Sequence, residues 1–148
     1  MGPGSSPDEP VGRIDPAAWD GPRLATNAPA GPLWLGPLVE PLLARRLAVP
    51  PTAERPRELR RFLELLADDA GVPRPFYYEA NVLASDLGLA EPPPLEALLQ
   101  ELRRSGYLAG RTHVRPEGLR TDAPRAAVEA AARRLAGSDQ SQNARVRA

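Results

Sequence analysis

The stretch LEALLQELRRSGYLAGRTHVRPEGLRTD, residues 95–122, holds two hydrophobic periods side by side. Leu95, Leu98, Leu99 and Leu102 recur every three or four residues, which puts them on one face of a helix. The spacing predicts a helix over Leu95–Ser105. Arg103 and Arg104 suit the negative end of its dipole, and Gly106 stops it. Then the period falls to two. Tyr107–Val114 reads as a strand and Arg115-Pro116-Glu117-Gly118 as a turn. Leu119–Asp122 reads as a short return strand, ended by Pro124.

Working outward, Thr121 or Asp122 caps an Ala-rich helix over Arg125–Leu135. Upstream, Phe76–Leu87 has helical spacing and Gly88 after it, and Pro92-Pro93-Pro94 makes a stiff turn. Leu59, Phe62, Leu63, Leu65, Leu66 and Ala70 form one apolar helix face. Thr52 serves as its cap, Pro56 lies in the first turn, and Gly71 is the C′ residue. An earlier helix spans Leu38–Ala48, with Leu38, Leu42, Leu43 and Leu47 on one face. From Leu59 the order is helix, helix, turn, helix, strand, turn, strand, helix. This is the order of a small winged-helix-like α+β domain, the alternative being another small α+β arrangement of the same elements.

Three segments are expected. Residues 1–30 are rich in Pro, Gly, Ser, Asp and Ala without periodicity and read as disordered or weakly docked. Residues 31–136 form the domain, and 137–148 a disordered polar tail. The 148 residues, with 19 Pro and 12 Gly, suit one domain and long irregular stretches. Cys is absent, which excludes disulfides, zinc fingers and thiol nucleophiles, and a single His cannot build a multi-His metal site. No apolar run approaches the ~20 residues that span a bilayer. Met1–Pro10 lacks the pattern of a signal peptide, so the expected location is cytoplasmic and no membrane partner is expected.

Nineteen basic residues balance nineteen acidic ones, which excludes a globally basic nucleic-acid binder. Locally the balance differs. Residues 103–125 carry six Arg against Glu117 and Asp122, a net +4. Arg111 and His113 share one side of the predicted strand, Arg115 and Arg120 flank the turn, and Arg104 ends the helix before it. Guanidinium forks suit phosphate oxygens, so these five are the candidate nucleic-acid contacts. The competing reading is a solvated face of ion-pair partners. Tyr77 and Tyr78 read as core residues or as stacking platforms. Trp34, beside Leu35, reads as an anchor pinning an extended segment to a core in this chain or another. His113 with Thr112 and Asp122 makes a poor hydrolase, since no Gly-x-Ser-x-Gly elbow exists. No Gly-x-Gly-x-x-Gly follows a strand, and without Lys no phosphate loop is possible. No catalytic residue and no metal ligand is assigned.

Four segments together resemble one family. Gly31-Pro32-Leu33-Trp34-Leu35-Gly36-Pro37-Leu38 is similar to the GPLWxGPL signature of the tRNA (guanine-N2) dimethyltransferases, which modify guanosine 26. Pro73-Arg74-Pro75-Phe76-Tyr77-Tyr78 is similar to that family's P-x-FYY segment. Pro92-Pro93-Pro94-Leu95 followed by a helix and Gly106-Tyr107 matches another pattern. Arg111-Thr112-His113 and Gly118–Pro124 look like its RTH and G-(I/L)-(K/R)-TDAP motifs. The resemblance implies the family's C-terminal, substrate-side domain, engaging tRNA through Arg104, Arg111, His113, Arg115 and Arg120. It implies that S-adenosylmethionine belongs to a catalytic domain outside this chain. Trp34, Leu35, Tyr77 and Tyr78 are then candidate interface residues toward a separately encoded methyltransferase domain. Two alternatives stay open: a protein-interaction module docking on such a subunit, and a winged-helix DNA-binding regulator. The second is poorly served by Gln100, Arg103 and Arg104 on the candidate reading helix.

Overall fold

Leu98, Leu99 and Leu102 are almost fully enclosed, and the fold is arranged around the face they share. The computed structural model describes residues 11–24, 28–48 and 57–146. In chain order it forms β1 (Val11–Ile14), β2 (Ala30–Trp34), α1 (Pro41–Ala48), α2 (Arg57–Ala70) and β3 (Tyr78–Glu79). There follow α3 (Ala80–Leu87), α4 (Leu95–Arg104), β4 (Ala109–Arg111), β5 (Gly118–Thr121) and α5 (Arg125–Val146).

The strands make two antiparallel sheets. β1 pairs with β2, Val11 facing Trp34 and Gly12 facing Leu33. β5 lies in the middle of the second sheet, between β3 and β4. Tyr78 faces Leu119 on one side of it, and Arg111 faces Leu119 on the other. Leu83 of α3, the three leucines of α4, Leu119 of β5 and Val128, Ala131 and Ala132 of α5 close the core over that sheet. Small Ala side chains on α5 let it lie close to α4, where Arg134 Nε donates to Glu101 at 3.0 Å. Gly106 (φ +88°) lets the chain reverse after α4, a conformation L side chains seldom adopt. The turn is closed by Tyr107 N–H donating to Leu102 O at 3.1 Å.

Several elements depart from the sequence expectations. The helix expected over Phe76–Leu87 begins at Ala80, because Tyr78 and Glu79 are taken up as an edge strand of β5. Pro73 and Pro75 favour extended backbone before them and delay the helix. α1 begins at Pro41, its first amides held by Glu40, whose carboxylate accepts from Leu42 N–H at 3.0 Å. The face of α1 that its spacing would turn inward is largely outward: Leu42 and Leu43 are exposed, while Ala44 is enclosed. Leu59 and Phe62 of α2 are exposed as well, and Leu63 and Ala70 are the buried residues of that face. Gly71 closes α2 through Gly71 N–H to Asp68 O at 3.2 Å, without a left-handed φ. The expected cap Thr52 and Pro56 lie outside the described residues.

Within the segment expected to be disordered, residues 11–14 form β1. Residues 15–24 lie against the main unit, with the Trp19 ring edge-on to Phe76 at 4.9 Å between centroids. The partners are non-local, so local periodicity carries no trace of them. Residues 1–10 lie outside the described residues. Beyond residue 136, α5 continues to Val146 in the expected tail. A helix already nucleated propagates cheaply through Gln, Ala and Arg, and here Gly137 does not end it.

Candidate nucleic-acid interface

α2 ends in two adjacent carboxylates, Asp68 and Asp69, at the end of a helix where negative charge is unfavourable. Their partners explain them. Asp68 Oδ2 accepts from Arg111 N–H at 2.8 Å, and Asp68 Oδ1 lies 3.5 Å from Arg103 Nη2. Asp69 is enclosed. Its Oδ2 accepts from Thr112 Oγ1 and from His113 N–H, both at 3.2 Å, and also meets His113 Nδ1. The Arg120 guanidinium completes the cluster, with Nε 3.0 Å from Asp69 Oδ1 and Nη1 donating to Arg74 O at 3.3 Å. α2 thereby grips the outgoing end of β4 and fixes the hairpin formed by β4, residues 112–117 and β5.

The predicted contact residues separate into two groups. Arg104, Arg111 and Arg115 are exposed, with acidic neighbours at long range. Arg104 is 3.9 Å from Glu101, Arg111 is 3.7 Å from Glu96, and Arg115 is 3.9 Å from Glu79. The Tyr77 hydroxyl, then the Glu79 carboxylate, push the Arg115 pKa up, so it stays a cation. His113, in the loop between β4 and β5, is partly exposed. Arg120 is different: its residue is 2% exposed, so it does not present its guanidinium to a phosphate. Period-2 alternation in β5 turns Arg120 toward α2, where Asp69 compensates the buried charge.

The four candidate interface residues are also divided. Trp34 is half exposed, its Nε1 donating to Pro37 O at 3.0 Å. Leu35 lines a cavity of about 510 Å³ together with Trp19, Phe76, Tyr78 and Asp122. Tyr77 is partly buried, beside Arg115. Tyr78 is buried in β3, and burial, then the Asp20 charge, pushes its phenol up to about 12. Tyr78 is therefore a core residue and offers no stacking face.

Sequence reasoning missed Asp68 and Asp69. The signal was their place, since a helix end that repels carboxylates keeps two of them only where cations or N–H groups wait. It also missed Asp20, whose Oδ1 accepts from Arg125 N–H at 2.8 Å and caps α5. Arg23 pairs with Asp86 at 2.7 Å from the same segment.

His113, Thr112 and Asp122 are not arranged as a catalytic relay. Asp122 accepts from Leu108 N–H at 2.8 Å and is not the partner of His113. Thr112 donates to the same carboxylate oxygen as His113 does. Among the described residues no group of three or more His, Asp or Glu could hold a metal ion. No described helix is long and apolar enough to cross a membrane.

Fold and site define a small α+β domain with an Arg-bearing hairpin clamped by two carboxylates. The model of the N2,N2-dimethylguanosine tRNA methyltransferases matches residues 23–133, and the chain belongs to that family. It is similar to the tRNA (guanine(26)-N(2))-dimethyltransferase of Thermococcus kodakarensis, 36% identical over 98 residues, covering 64% of this chain and 25% of the relative. The enzyme of that name from Pyrobaculum calidifontis is 33% identical over 113 residues, covering 76% of this chain and 29% of that protein. Trm1 from Pyrococcus horikoshii, solved with S-adenosyl-L-methionine, superposes with a TM-score of 0.58 at 25% identity. The match covers 74% of this chain and 29% of that one. The chain thus spans about a quarter of the length of the curated relatives it matches.

Proposed function

We propose that this chain is a tRNA-engaging domain equivalent to the C-terminal, substrate-side part of a tRNA guanine-N2 dimethyltransferase acting on guanosine 26, working in the cytoplasm. The fold reads as a winged helix, with α4 as the presented helix and the β4–β5 hairpin as the wing. The strand order β3-β5-β4 with α3 and α4 between β3 and β4 supports this. Catalysis, and S-adenosylmethionine with it, belongs to a domain outside this chain, and no residue here is assigned to it.

The observation that carries the reading is the exposure of Arg111 and Arg115 on a hairpin held from behind, with Arg104 exposed at the end of α4. Preset cations lose little entropy when phosphates arrive. The test is fluorescence anisotropy of the whole chain with folded tRNA across a salt series. Binding is expected to weaken steeply with salt. Replacing Arg111 and Arg115 with Glu should flatten the slope by about one for each phosphate that is no longer neutralised. No binding at low salt, or equal binding by the double variant, rejects the reading.

A second reading rests on a different surface. Trp34, Leu38, Leu42 and Leu43 are large apolar side chains at least half exposed, all within β2, α1 and the turn between them. Apolar exposure of this kind suits a docking face for a separately encoded methyltransferase domain. Co-purification of such a domain with the wild-type chain, abolished by Leu42→Asp with Leu43→Asp, is its expected result.

A further inference from the structure

The rings of Phe62 and His113 meet edge to face, their centroids 6.2 Å apart and their planes at 88°. Phe62 lies on a helix face that its spacing would bury, yet it is 46% exposed. His113 is fixed from behind. Its Nδ1 and its backbone N–H both meet the enclosed Asp69, which is tied in turn to Thr112 and Arg120. One ring is thus clamped, and the other stands against it, half open to solvent.

Cations flank both rings in sequence, with Glu64 the exposed acid two residues from Phe62. Arg61 adjoins Phe62 and is exposed, and Arg111 and Arg115 flank His113 at two residues on either side, both exposed. An exposed aromatic face among guanidinium groups is the composition with which proteins hold single-stranded nucleic acid. A π-face takes any base, and the cations follow the backbone. A duplex offers only phosphates and groove edges and gains nothing from the ring. Of the two tyrosines that could have stacked, Tyr78 is buried and Tyr77 is engaged with Arg115.

We infer that Phe62, braced by His113, is a stacking platform for one unpaired base of the RNA whose phosphates the hairpin holds; this rests on the tRNA-engaging reading above. The test uses the whole chain and two short RNA duplexes of equal stem, one fully paired and one with a single bulged 2-aminopurine. The wild type is expected to bind the bulged duplex more tightly and to quench its 2-aminopurine emission. Phe62→Leu should weaken the bulged complex about ten-fold and leave the paired one unchanged, and Phe62→Trp should keep both affinities. A thermal melt of each variant checks folding, which a half-exposed position tolerates. If the wild type binds both duplexes equally, or Phe62→Leu weakens both alike, the platform is overturned while the phosphate contacts stand. If neither duplex nor folded tRNA is bound at low salt, both readings fall. If Phe62→Leu spares RNA binding and instead releases a co-purifying protein, the ring belongs to a protein interface and the platform is overturned.

Discussion

Arg120 Nε lies 3.0 Å from Asp69 Oδ1, and neither side chain is more than 3% exposed. The two charges sit inside the same small domain that leaves several leucines in solvent. The contact is an ion pair at short range without an aligned hydrogen bond, and Arg120 Nη2 has no hydrogen-bond partner among the described residues. Removing one member leaves the other charged and enclosed.

Asp69→Ala is therefore expected to destabilise the fold by about 3–5 kcal/mol, read from the urea midpoint. Asp69→Leu combined with Arg120→Met should recover part of that loss, because no stranded charge remains, while the Thr112 hydroxyl and the His113 N–H still lose their acceptor. Equal midpoints for wild type and Asp69→Ala would show that the pair contributes nothing.

Gly110 has a different role in the same place. A Cβ on it would stand 2.7 Å from the backbone oxygen of Asp68, which cannot move without disturbing the end of α2. Gly110→Ala is expected to cost about 1–3 kcal/mol, as overpacking does. It should also loosen Arg111 N–H from Asp68, seen as faster amide exchange at Arg111.

Tyr78 gives an alkaline signature. Its folded pKa is pushed up to about 12 from an ordinary 10.0. Below pH 10 the phenol is neutral in both states and its contribution to stability is complete. Between about pH 10 and 12 the unfolded chain ionises first, and stability falls with rising pH. The Tyr78 hydroxyl is buried with no hydrogen-bond partner among the described residues. Tyr78→Phe should raise stability at pH 7 by about 1 kcal/mol and lessen the alkaline decline, measured as melting temperature against pH.

Much of the fold is legible in the sequence where periodicity is local. The leucines of α4 and the turn residues between β4 and β5 announce those elements, because helix faces and turns are written in neighbouring residues. β3 is not legible, since two residues become a strand only where β5 offers an edge. The site is half legible. Arg104, Arg111 and Arg115 stand out where the charge pattern puts them. The burial of Arg120 depends on Asp69, 51 positions away. Phe62 misled for the opposite reason. Its spacing is that of a core residue, and only the packing of α1 against α2 decides which part of an apolar face is covered.

Asp20 supplies a cap that α5 does not carry itself. Its carboxylate accepts from the first amide of that helix at 2.8 Å. Asp20→Ala is expected to lower stability by about 1 kcal/mol. It should shift Trp19 emission to the red as the ring leaves its place on Phe76.

The same segment has a consequence for where the molecule can be divided. Asp86 of α3 is shared by Arg23 at 2.7 Å and Arg125 at 3.7 Å, so the leading stretch is wired into both helices that flank it. Cleavage of the chain between Leu24 and Ala28 would leave two pieces joined by the β1–β2 ladder and by these carboxylates. They should travel as one species on a sizing column. A protease scar there is a nick, and the leading piece behaves as a bound peptide ligand of the rest.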